Sequence, residues 1–259
     1  MLKNKTVIVT GAASGIGAAC VSELKKHGAT VIGVDRVPIG GKVDRRIEAD
    51  LTDPRSIVAA VRDVGPGIDG LCNVAGVPPT APPEEVLAVN ALGLMTFTNE
   101  MIERMNPGAS IVNVSSLAGA GWKGNIAAVR DFVDRATFDN LGEMVQKHGA
   151  VAAKSYVFSK EIVCYWTIRE SQYFIECGMR MNSVCPGPVE TPILDDFIVS
   201  FGDRAESHIA LTERMGQTGD IAPVVAFLVS DSSNWIRGAN IPVDGGLHAH
   251  LLERSGAAG

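Results

Sequence analysis

The stretch that decides the fold is TVIVTGAASGIGAACVSELKKHGATVIGVD, residues 6–35. It begins with a β-branched run at 6–10, passes through a glycine turn at 11–17, continues as a helical pattern at 18–27 and returns to a β-branched run at 30–34. Short apolar strands that alternate with helices are typical of βαβ units, in which a parallel sheet is covered on both faces. The sequence therefore predicts an α/β fold that starts with a strand–turn–helix–strand unit.

The same alternation continues along the chain. The pattern predicts further helices at about 55–64, 88–104, 156–176 and 221–229, and further strands at 70–73, 110–114, 180–185 and 241–243. No internal repeat, low-complexity tract or linker divides the sequence, and an α/β chain of this size commonly forms one domain. We therefore predict a doubly wound parallel sheet of the Rossmann type, in a single domain over residues 1–259.

Composition limits the class of protein. The chain has 259 residues, of which 46% are hydrophobic and 20% charged, with 28 glycines and a formal net charge of −6. The apolar fraction argues against disorder, and no apolar run reaches the roughly 18 residues that a membrane span needs. The acidic balance argues against binding to nucleic acid or to a membrane surface, because both attract basic faces. We expect a small-molecule partner.

Cysteine usage indicates the compartment. The five cysteines are Cys20, Cys72, Cys164, Cys177 and Cys185, without a CxxC or a zinc-binding spacing. Buried free thiols in a reducing compartment are the simplest interpretation. The apolar run near the start is too short for a signal peptide. We expect a cytoplasmic protein without a metal site, and we interpret His248 and His250 as solvated side chains of a tail.

The glycine turn has the composition of a phosphate-binding loop. Gly11, Gly15 and Gly17 stand between the first strand and the first helix. Backbone N–H groups and the positive end of a helix dipole bind a pyrophosphate, and glycine lets the backbone approach closely. Asp35 ends the second strand, where a carboxylate accepts hydrogen bonds from the ribose of NAD and repels the 2′-phosphate of NADP. Arg36 is able to contact that phosphate, so the sequence favours NAD and leaves NADP as the alternative.

A tyrosine and a lysine stand one helical turn apart at the start of a later helix. Tyr156 and Lys160 are four positions apart, which places their Cβ atoms roughly 6 Å apart on one helical face. At about 4 Å and an effective dielectric of ~20, an ammonium stabilises a phenolate by about 4 kcal/mol. That is the amount that lowers a tyrosine pKa from about 10 to about 7. The pair is therefore a candidate general acid/base near neutral pH.

Several motifs in a fixed order carry a family resemblance. They are the turn at 10–17, Asn73-Val-Ala-Gly76, Asn90, Ser115-Ser116, Tyr156 with Lys160, Pro186-Gly-Pro-Val-Glu-Thr191 and Pro242-Val-Asp-Gly-Gly246. Together they span essentially the whole chain, and the sequence resembles the short-chain dehydrogenase/reductase family. The resemblance implies a Rossmann fold, a nicotinamide dinucleotide cofactor and hydride transfer at an alcohol or carbonyl carbon.

The resemblance also implies a role for each matching residue. Tyr156 is the acid/base, Lys160 lowers its pKa and holds the nicotinamide ribose, and Ser116, rather than Ser115, hydrogen-bonds the substrate oxygen. Asn90 positions a water in a proton relay through Lys160. The residues implied in cofactor binding are Gly11, Ser14, Gly15, Ile16, Gly17, Asp35, Asp50, Leu51, Asn73, Ala75, Gly76, Tyr156, Lys160, Pro186, Val189 and Thr191. The family's Asn-Asn-Ala-Gly reads Asn-Val-Ala-Gly at 73–76, which removes one supporting amide.

The interval between Ser116 and Tyr156 is a second departure. It is 40 positions long, far more than in most members of the family. Two sets of apolar residues within it have helical spacing: 126, 129, 132 and 133, then 138, 141, 144 and 145. They predict two short amphipathic helices in an insertion at 121–153. This insertion resembles that of the bacterial 3α-hydroxysteroid dehydrogenase/carbonyl reductase group, where a helical subdomain covers the surface used for tetramers and leaves a dimer. Whether it also forms a wall of the substrate pocket stays open at this point.

Apolar residues follow the last motif of the cofactor site. Ile193, Leu194, Phe197, Ile198 and Phe201 have helical spacing at the position of the family's mobile substrate loop. An amphipathic lid suits an apolar or aromatic alcohol, although packing against the core is the alternative. Trp122, shortly after Ser116, is a candidate aromatic wall.

Stretches around 69–78, 181–188 and 235–246 resemble coniferyl-alcohol dehydrogenases of the same group. We therefore expect an NAD-dependent alcohol dehydrogenase/carbonyl reductase, homodimeric or homotetrameric, that acts on a hydrophobic alcohol such as coniferyl alcohol. A 3α-hydroxysteroid dehydrogenase/carbonyl reductase is the first alternative, and a non-catalytic dinucleotide sensor is the second. A sugar-nucleotide epimerase or dehydratase usually has a larger C-terminal domain than this chain provides.

Overall fold

The computed structural model describes residues 1–41, 43–202 and 210–254. The strands are β1 (Thr6–Thr10), β2 (Thr30–Asp35), β3 (Arg45–Glu48), β4 (Ile68–Asn73), β5 (Met105–Val114), β6 (Arg180–Pro186), β7 (Val189–Glu190), β8 (Gly216–Gln217) and β9 (Asn240–Val243). Seven of them form a parallel sheet in the order β3-β2-β1-β4-β5-β6-β9, and β7 pairs with β8. The α/β doubly wound fold expected from the sequence is confirmed.

Helices cover both faces of the sheet. The α-helices are α1 (Gly15–Lys26), α2 (Pro54–Val64), α3 (Pro83–Leu87), α4 (Leu94–Met101), α5 (Ile126–Arg135), α6 (Leu141–Lys147), α7 (Gly149–Ala152), α8 (Ser155–Arg169), α9 (Ser171–Glu176), α10 (Leu194–Phe201), α11 (Thr218–Val229) and α12 (Leu247–Arg254). A π-helical turn spans Ala88–Gly93, and 3-10 segments span Ile102–Arg104, Leu117–Asn125 and Asp231–Ser233. None of the described helices is both long enough and apolar enough to cross a membrane.

Alternation along the strands builds two apolar layers. Ile8 packs into the cluster that includes α2, α4 and α8, while Val7 and Val9 pack into the cluster with α1 and α11. Successive strand residues point to opposite faces, so one β-branched run supplies both layers. This explains why the strands of the sequence are nearly continuous apolar runs.

The strand register brings polar strand ends together. Thr10 pairs with Asn73, and Asn73 pairs with Asn113, across β1, β4 and β5. The order of the strands reverses between β1 and β4, since β1 continues to β2 on one side while β4 and β5 lie on the other. Open α/β sheets bind ligands at the carboxyl ends of the strands next to such a reversal. The fold therefore places a site after β1 and β4.

Two predicted helices are interrupted. The helix expected at 88–104 is a π-helical turn, α4 and a 3-10 turn in succession, and the helix expected at 156–176 is divided into α8 and α9. The Ser171 hydroxyl donates to the carbonyl of Ile168 at 2.8 Å, which occupies an acceptor of the last turn of α8. Such serine-to-backbone bonds compete with helix continuation. β3, β7, β8, α3, α7 and α12 had no sequence prediction.

The segment 121–153 contains three short helices, α5, α6 and α7. Val129 and Phe132 of α5 are buried. The ring of Phe132 meets that of Phe158 on α8 edge-on, at 5.7 Å between centroids. These contacts cover the outer face of α8, so the helix that carries Tyr156 and Lys160 is buried over most of its length.

Candidate active site

A cavity of about 870 Å³ opens at the carboxyl ends of the parallel strands. The residues expected from sequence that line it are Gly11, Ser14, Gly15, Ile16, Gly17, Asp35, Asp50, Leu51, Ala75, Gly76, Ser116, Tyr156, Lys160, Pro186, Val189 and Thr191. Asn73 and Asn90 are absent from its described lining. The fold thus brings residues as far apart in the chain as Gly11 and Thr191 into one cleft.

The glycines of the first turn form a cradle. A Cβ on Gly17 would lie 1.9 Å from the carbonyl oxygen of Gly11, and one on Gly11 would lie 2.7 Å from the Cα of Ala75. Gly11 also has a φ of +67°, which favours glycine. Among the described contacts, the side chain of Ser14 does not cap α1, and its first turn holds no acidic residue. Free N–H groups at a helix N-terminus fit the pyrophosphate of a dinucleotide.

The end of the cavity at the carboxyl end of β2 combines the carboxylates of Asp35 and Asp50 with the guanidinium of Arg36. Asp35 accepts hydrogen bonds from the backbone N–H groups of Ala13 at 2.9 Å and Val37 at 3.1 Å. Arg36 lies beside it, with Nη1 at 3.4 Å from Oε1 of Glu85 on α3. Asp50 has a pKa below its usual value because the N–H and hydroxyl of Thr52 donate to it and Arg36 lies nearby.

The candidate catalytic tyrosine is buried. Tyr156 lies in the first turn of α8, and burial raises the pKa of its phenol above the usual value, while a hydrogen bond with the Ser116 side chain lowers it. The neighbouring Ser115 is turned away, because its hydroxyl donates to the carbonyl of Lys160 at 2.9 Å. This arrangement favours Ser116 over Ser115 as the partner of the reacting oxygen.

The lysine is held beneath the tyrosine. Nζ of Lys160 donates to the carbonyl of Val114 at 3.0 Å and lies 5.5 Å from the centroid of the Tyr156 ring. Burial lowers the pKa of Lys160 to about 8. The expected lowering of the tyrosine pKa by Lys160 does not occur in the protein alone, because burial of the phenol dominates.

The two asparagines lie behind the cavity wall. Asn90, in the π-helical turn, accepts a hydrogen bond from the N–H of Val77 at 2.8 Å and donates to the carbonyl of Val77 at 3.1 Å. A Cβ on Gly76 would lie 3.3 Å from Oδ1 of Asn90 and 3.9 Å from Nζ of Lys160, so the amide and the ammonium flank one glycine. Asn73 donates to the Thr98 hydroxyl and to Asn113, both at 2.8 Å, and so cross-links β4 to its neighbours, outside the described lining of the cavity.

The apolar helical spacing after Thr191 corresponds to α10. Its residues Leu194 and Phe197, with the preceding Ile193, line the cavity. The Phe197 ring meets the Tyr156 ring edge-on, with centroids 4.8 Å apart. The Thr80 hydroxyl donates to the Asp196 carboxylate at 2.7 Å and ties α10 to the loop after β4. The side chains of Ile198 and Phe201 lie outside the described part of the chain.

Two sequence interpretations of the substrate side are wrong. Trp122 does not belong to the described cavity lining, because its ring packs on Tyr165 of α8 at 5.6 Å between centroids. His248 is not part of a solvated tail: it stands in α12, and His248 and Leu251 line the cavity. Nε2 of His250 is also buried. The helical spacing of the leucines at 247, 251 and 252 was the available signal for this helix.

The insertion contributes no lining residue from its helices. Among the described residues of α5, α6 and α7, none borders the cavity, whereas the preceding residues Leu117, Ala118, Ala120 and Gly121 do. No group of three or more His, Cys, Asp or Glu in the described ranges is placed to hold a metal ion. The five cysteines are free thiols.

Comparison with known proteins decides the family. A model described as short chain dehydrogenase matches residues 5–128, and one described as enoyl-(acyl carrier protein) reductase matches residues 137–248. The chain belongs to the short-chain dehydrogenase/reductase family. Members of this family bind a nicotinamide dinucleotide, act on small molecules and are commonly oligomeric.

Individual relatives cover almost the whole chain. A coniferyl-alcohol dehydrogenase of Pseudomonas sp. strain HR199 is 41% identical over 249 residues, covering 95% of this chain and 97% of the relative. A 3-alpha-hydroxysteroid dehydrogenase/carbonyl reductase of Comamonas testosteroni is 28% identical, covering 94% and 96%. Among solved structures, the 3-alpha-hydroxysteroid dehydrogenase of Pseudomonas sp. B-0831, complexed with NADH, has a TM-score of 0.81 at 31% identity, covering 96% of this chain and 99% of that one.

Proposed function

We propose that this short-chain dehydrogenase/reductase is an NAD-dependent alcohol dehydrogenase that oxidises, reversibly, a hydrophobic aromatic allylic alcohol such as coniferyl alcohol. The observation that carries the proposal is the placement of Tyr156, Ser116 and Lys160 in one cleft between a glycine cradle and an apolar lid. The 41% identity to a coniferyl-alcohol dehydrogenase supports the choice of substrate.

The residues of the cleft divide the reaction between them. A bound dinucleotide supplies the acceptor of the carbinol hydride, an oxidised nicotinamide ring. The Ser116 hydroxyl holds the substrate oxygen, and Tyr156 takes the hydroxyl proton as general base. Lys160 places a positive charge beneath the phenol and favours its ionised form. Asn90 would order a water that carries the proton onward, and its amide and Nζ of Lys160 both flank Gly76.

The cofactor-binding part of the proposal follows the roles expected from sequence. The cradle residues would hold the pyrophosphate, Asp35 the adenosine ribose, and Asp50 and Leu51 the adenine. The residues that would meet the carboxamide are Pro186, Val189 and Thr191, and Lys160 would hold the nicotinamide ribose. The fit rests on the tight turn before α1, in which a Cβ on Gly17 would lie 1.9 Å from the carbonyl oxygen of Gly11, and on the first turn of α1, which has no side-chain cap and no acidic residue among the described contacts.

The substrate end supports an aromatic alcohol. Phe197 presents its ring to that of Tyr156, and aliphatic side chains of α10 and α12 complete the described walls. Edge-on ring contacts contribute about 0.5–1.5 kcal/mol beyond burial of area. An aromatic ring next to the reacting carbon therefore gains contacts that an aliphatic alcohol lacks.

A substrate panel tests the proposal. Coniferyl alcohol, a 3α-hydroxysteroid and simple aliphatic alcohols are offered with NAD and then NADP, and NADH or NADPH absorbance is followed. We expect the largest kcat/KM for coniferyl alcohol with NAD. Preference for the steroid would replace the substrate assignment by the carbonyl reductase alternative. Failure of every alcohol, with intact NADH binding, would favour a non-catalytic dinucleotide sensor.

Charge around Arg36 supports NAD over NADP. Its guanidinium is shared by Glu85, at 3.4 Å, and by the nearby Asp50, and Asp35 precedes it in the chain. The carboxylates of Asp35, Asp50 and Glu85 outnumber the guanidinium of Arg36 near this end of the cavity, and the net negative charge disfavours a 2′-phosphate. Glu85→Gln removes the counter-ion and frees Arg36. We expect the ratio of NADPH to NADH affinity, measured by fluorescence titration, to rise about threefold to fivefold, as for one partly exposed charge pair.

Glu84→Gln provides the matched control for this titration. It makes the same chemical change at the adjacent, exposed position of α3. We expect its cofactor ratio to stay within about twofold of the wild-type ratio, because Glu84 has no described ion pair with Arg36. Equal changes of the cofactor affinity ratio in Glu84→Gln and Glu85→Gln would contradict the prediction. They would show that the net charge of α3, and not the ion pair with Arg36, affects cofactor choice.

We also propose that the protein assembles as a homodimer. The burial of α8 beneath α5 of the same chain supports this, since the outer face of α8 is not free for a second copy. Light scattering of the purified protein tests the proposal, and a tetramer would contradict it.

A further inference from the structure

A buried carboxylate with no part in the proposed reaction directly follows Lys160. Glu161 is 3% exposed. Burial raises the pKa of its carboxyl, and the hydrogen bond from Asn125 is the cause that lowers it. Placing a carboxylate in such a position is costly unless it makes strong hydrogen bonds. We therefore infer that the hydrogen bonds from Asn125 offset the cost of burying the Glu161 carboxylate.

Two side-chain pairs pin one segment to α8. Nδ2 of Asn125 lies 3.0 Å from Oε1 and 2.8 Å from Oε2 of Glu161. One turn further along α8, the ring of Tyr165 packs on that of Trp122 at 5.6 Å between centroids. Glu161 and Tyr165 share a helical face because they are four positions apart. Asn125 and Trp122 both belong to the 3-10 segment Leu117–Asn125.

This segment lies directly on the helix that carries Lys160. A Cβ on Gly119 would lie 2.4 Å from the carbonyl oxygen of Lys160, and one on Gly121 would lie 3.3 Å from Oε1 of Glu161. The close approach leaves no room for a side chain at Gly119 between the segment and α8. The same segment also borders the cavity, with Leu117, Ala118, Ala120 and Gly121 in its lining.

We propose that Glu161 and Asn125 are positioning residues that fix the cavity wall at 117–121 and so determine the fit of a bulky aromatic alcohol. The inference rests on the proposed function for the identity of the substrate. Glu161 is outside the described lining of the cavity and acts on the substrate through the wall. The hydrogen bonds between Asn125 and Glu161 hold the C-terminal end of the 3-10 segment, where the chain continues into α5.

Three variants test the role of this pair. Asn125→Asp sets two carboxyl groups against each other, and the assays are run at pH ~9, where both are ionised and repel. Glu161→Gln keeps one oxygen that accepts from Asn125. The double variant restores a complementary pair, because the amide introduced at position 161 donates to the carboxylate introduced at position 125. We expect Asn125→Asp to raise KM for coniferyl alcohol at least about tenfold, and the other two to raise it less than about threefold. kcat and the NADH Kd stay within about twofold throughout.

The controls separate a shaped wall from general damage. Asn99→Asp makes the same substitution at an exposed position of α4 and leaves KM unchanged. Allyl alcohol, which carries the reacting carbinol without the ring, is the matched substrate, and its KM changes less than about twofold in Asn125→Asp. An equal rise in KM for both alcohols, or a double variant no better than Asn125→Asp, would overturn the proposal.

Hydrogen exchange makes the test independent of turnover. We expect the amides of residues 117–125 to exchange at least about tenfold faster in Asn125→Asp and to return to the wild-type rate in the double variant. Unchanged exchange in Asn125→Asp would overturn the inference even if no alcohol were oxidised. If the wild-type protein does not oxidise coniferyl alcohol but the exchange rates change as expected, the proposed substrate is wrong. The role of Glu161 and Asn125 in fixing the cavity wall at 117–121 would still stand.

Discussion

Replacing Tyr156 by phenylalanine is expected to lower kcat for alcohol oxidation by about three orders of magnitude while the NADH Kd stays within about twofold. The substitution keeps the ring that packs on Phe197 and removes only the hydroxyl that hydrogen-bonds Ser116. General acid–base groups contribute about a hundredfold to ten-thousandfold to a rate. The phenol is buried, so bulk water is a poor substitute for it. Stopped-flow and steady-state rates of NADH formation measure the loss.

Tyr165→Phe is the matched control for this experiment. It removes the same hydroxyl on the same helix, from a ring that packs on Trp122 outside the described cavity lining. We expect its kcat to stay within about threefold of wild type. Near-normal turnover in Tyr156→Phe would remove the tyrosine from its assigned role, whatever the fold and the comparisons indicate.

The parts of the fold that were predictable depend on local patterns. The β-branched runs and the glycine turn at 6–35 predict the first βαβ unit, and the polar ends of β1, β4 and β5 then meet as the register requires. The glycine cradle was predictable for the same reason, because neighbouring residues of one turn build it. Family motifs located Ser116, Tyr156 and Lys160, which the structure places in one cleft.

The parts that were missed depend on contacts between distant residues. Glu85 contacts Arg36, which is 49 residues away in the sequence, and Glu161 contacts Asn125, which is 36 residues away. No periodicity in either segment indicates such a pair. The direction of the tyrosine pKa was missed for a related reason: spacing along a helix reveals the nearby ammonium but not the burial of the phenol on all sides. Trp122 was misplaced because adjacency to Ser116 does not say which side of the 3-10 segment faces the cavity.

Lys160→Met is expected to abolish efficient turnover and yet stabilise the cofactor-free protein at neutral pH. Lys160 is 5% exposed, and burial lowers its pKa from 10.5 to about 8. That difference between the unfolded and the folded protein corresponds to about 3 kcal/mol. Because the folded pKa lies below the unfolded one, the folded protein carries this cost in full below pH ~8 and loses it as the pH rises toward ~10.5.

Methionine keeps the length and apolar stem of the lysine without its charge. It also removes the hydrogen bond to the Val114 carbonyl, at a cost of about 1–2 kcal/mol. We therefore expect the free energy of unfolding in urea to rise by about 1–2 kcal/mol at pH ~7 and to fall slightly below wild type at pH ~10. kcat/KM falls at least about a hundredfold, since the positive charge beneath the phenol is lost.

The effect of Lys160→Met on the free energy of unfolding changes sign between pH ~7 and pH ~10. This change of sign identifies the charge of Lys160 as the cause of the stability difference. Lys154→Met, at an exposed position just before α8, changes the same functional group and is expected to show no such reversal. If Lys160→Met is destabilised equally at both pH values, then packing or the hydrogen bond to Val114, and not the charge, determines the stability difference. With the reversal, Lys160 is a residue kept at the expense of stability, because an ammonium buried beneath Tyr156 serves catalysis and not folding.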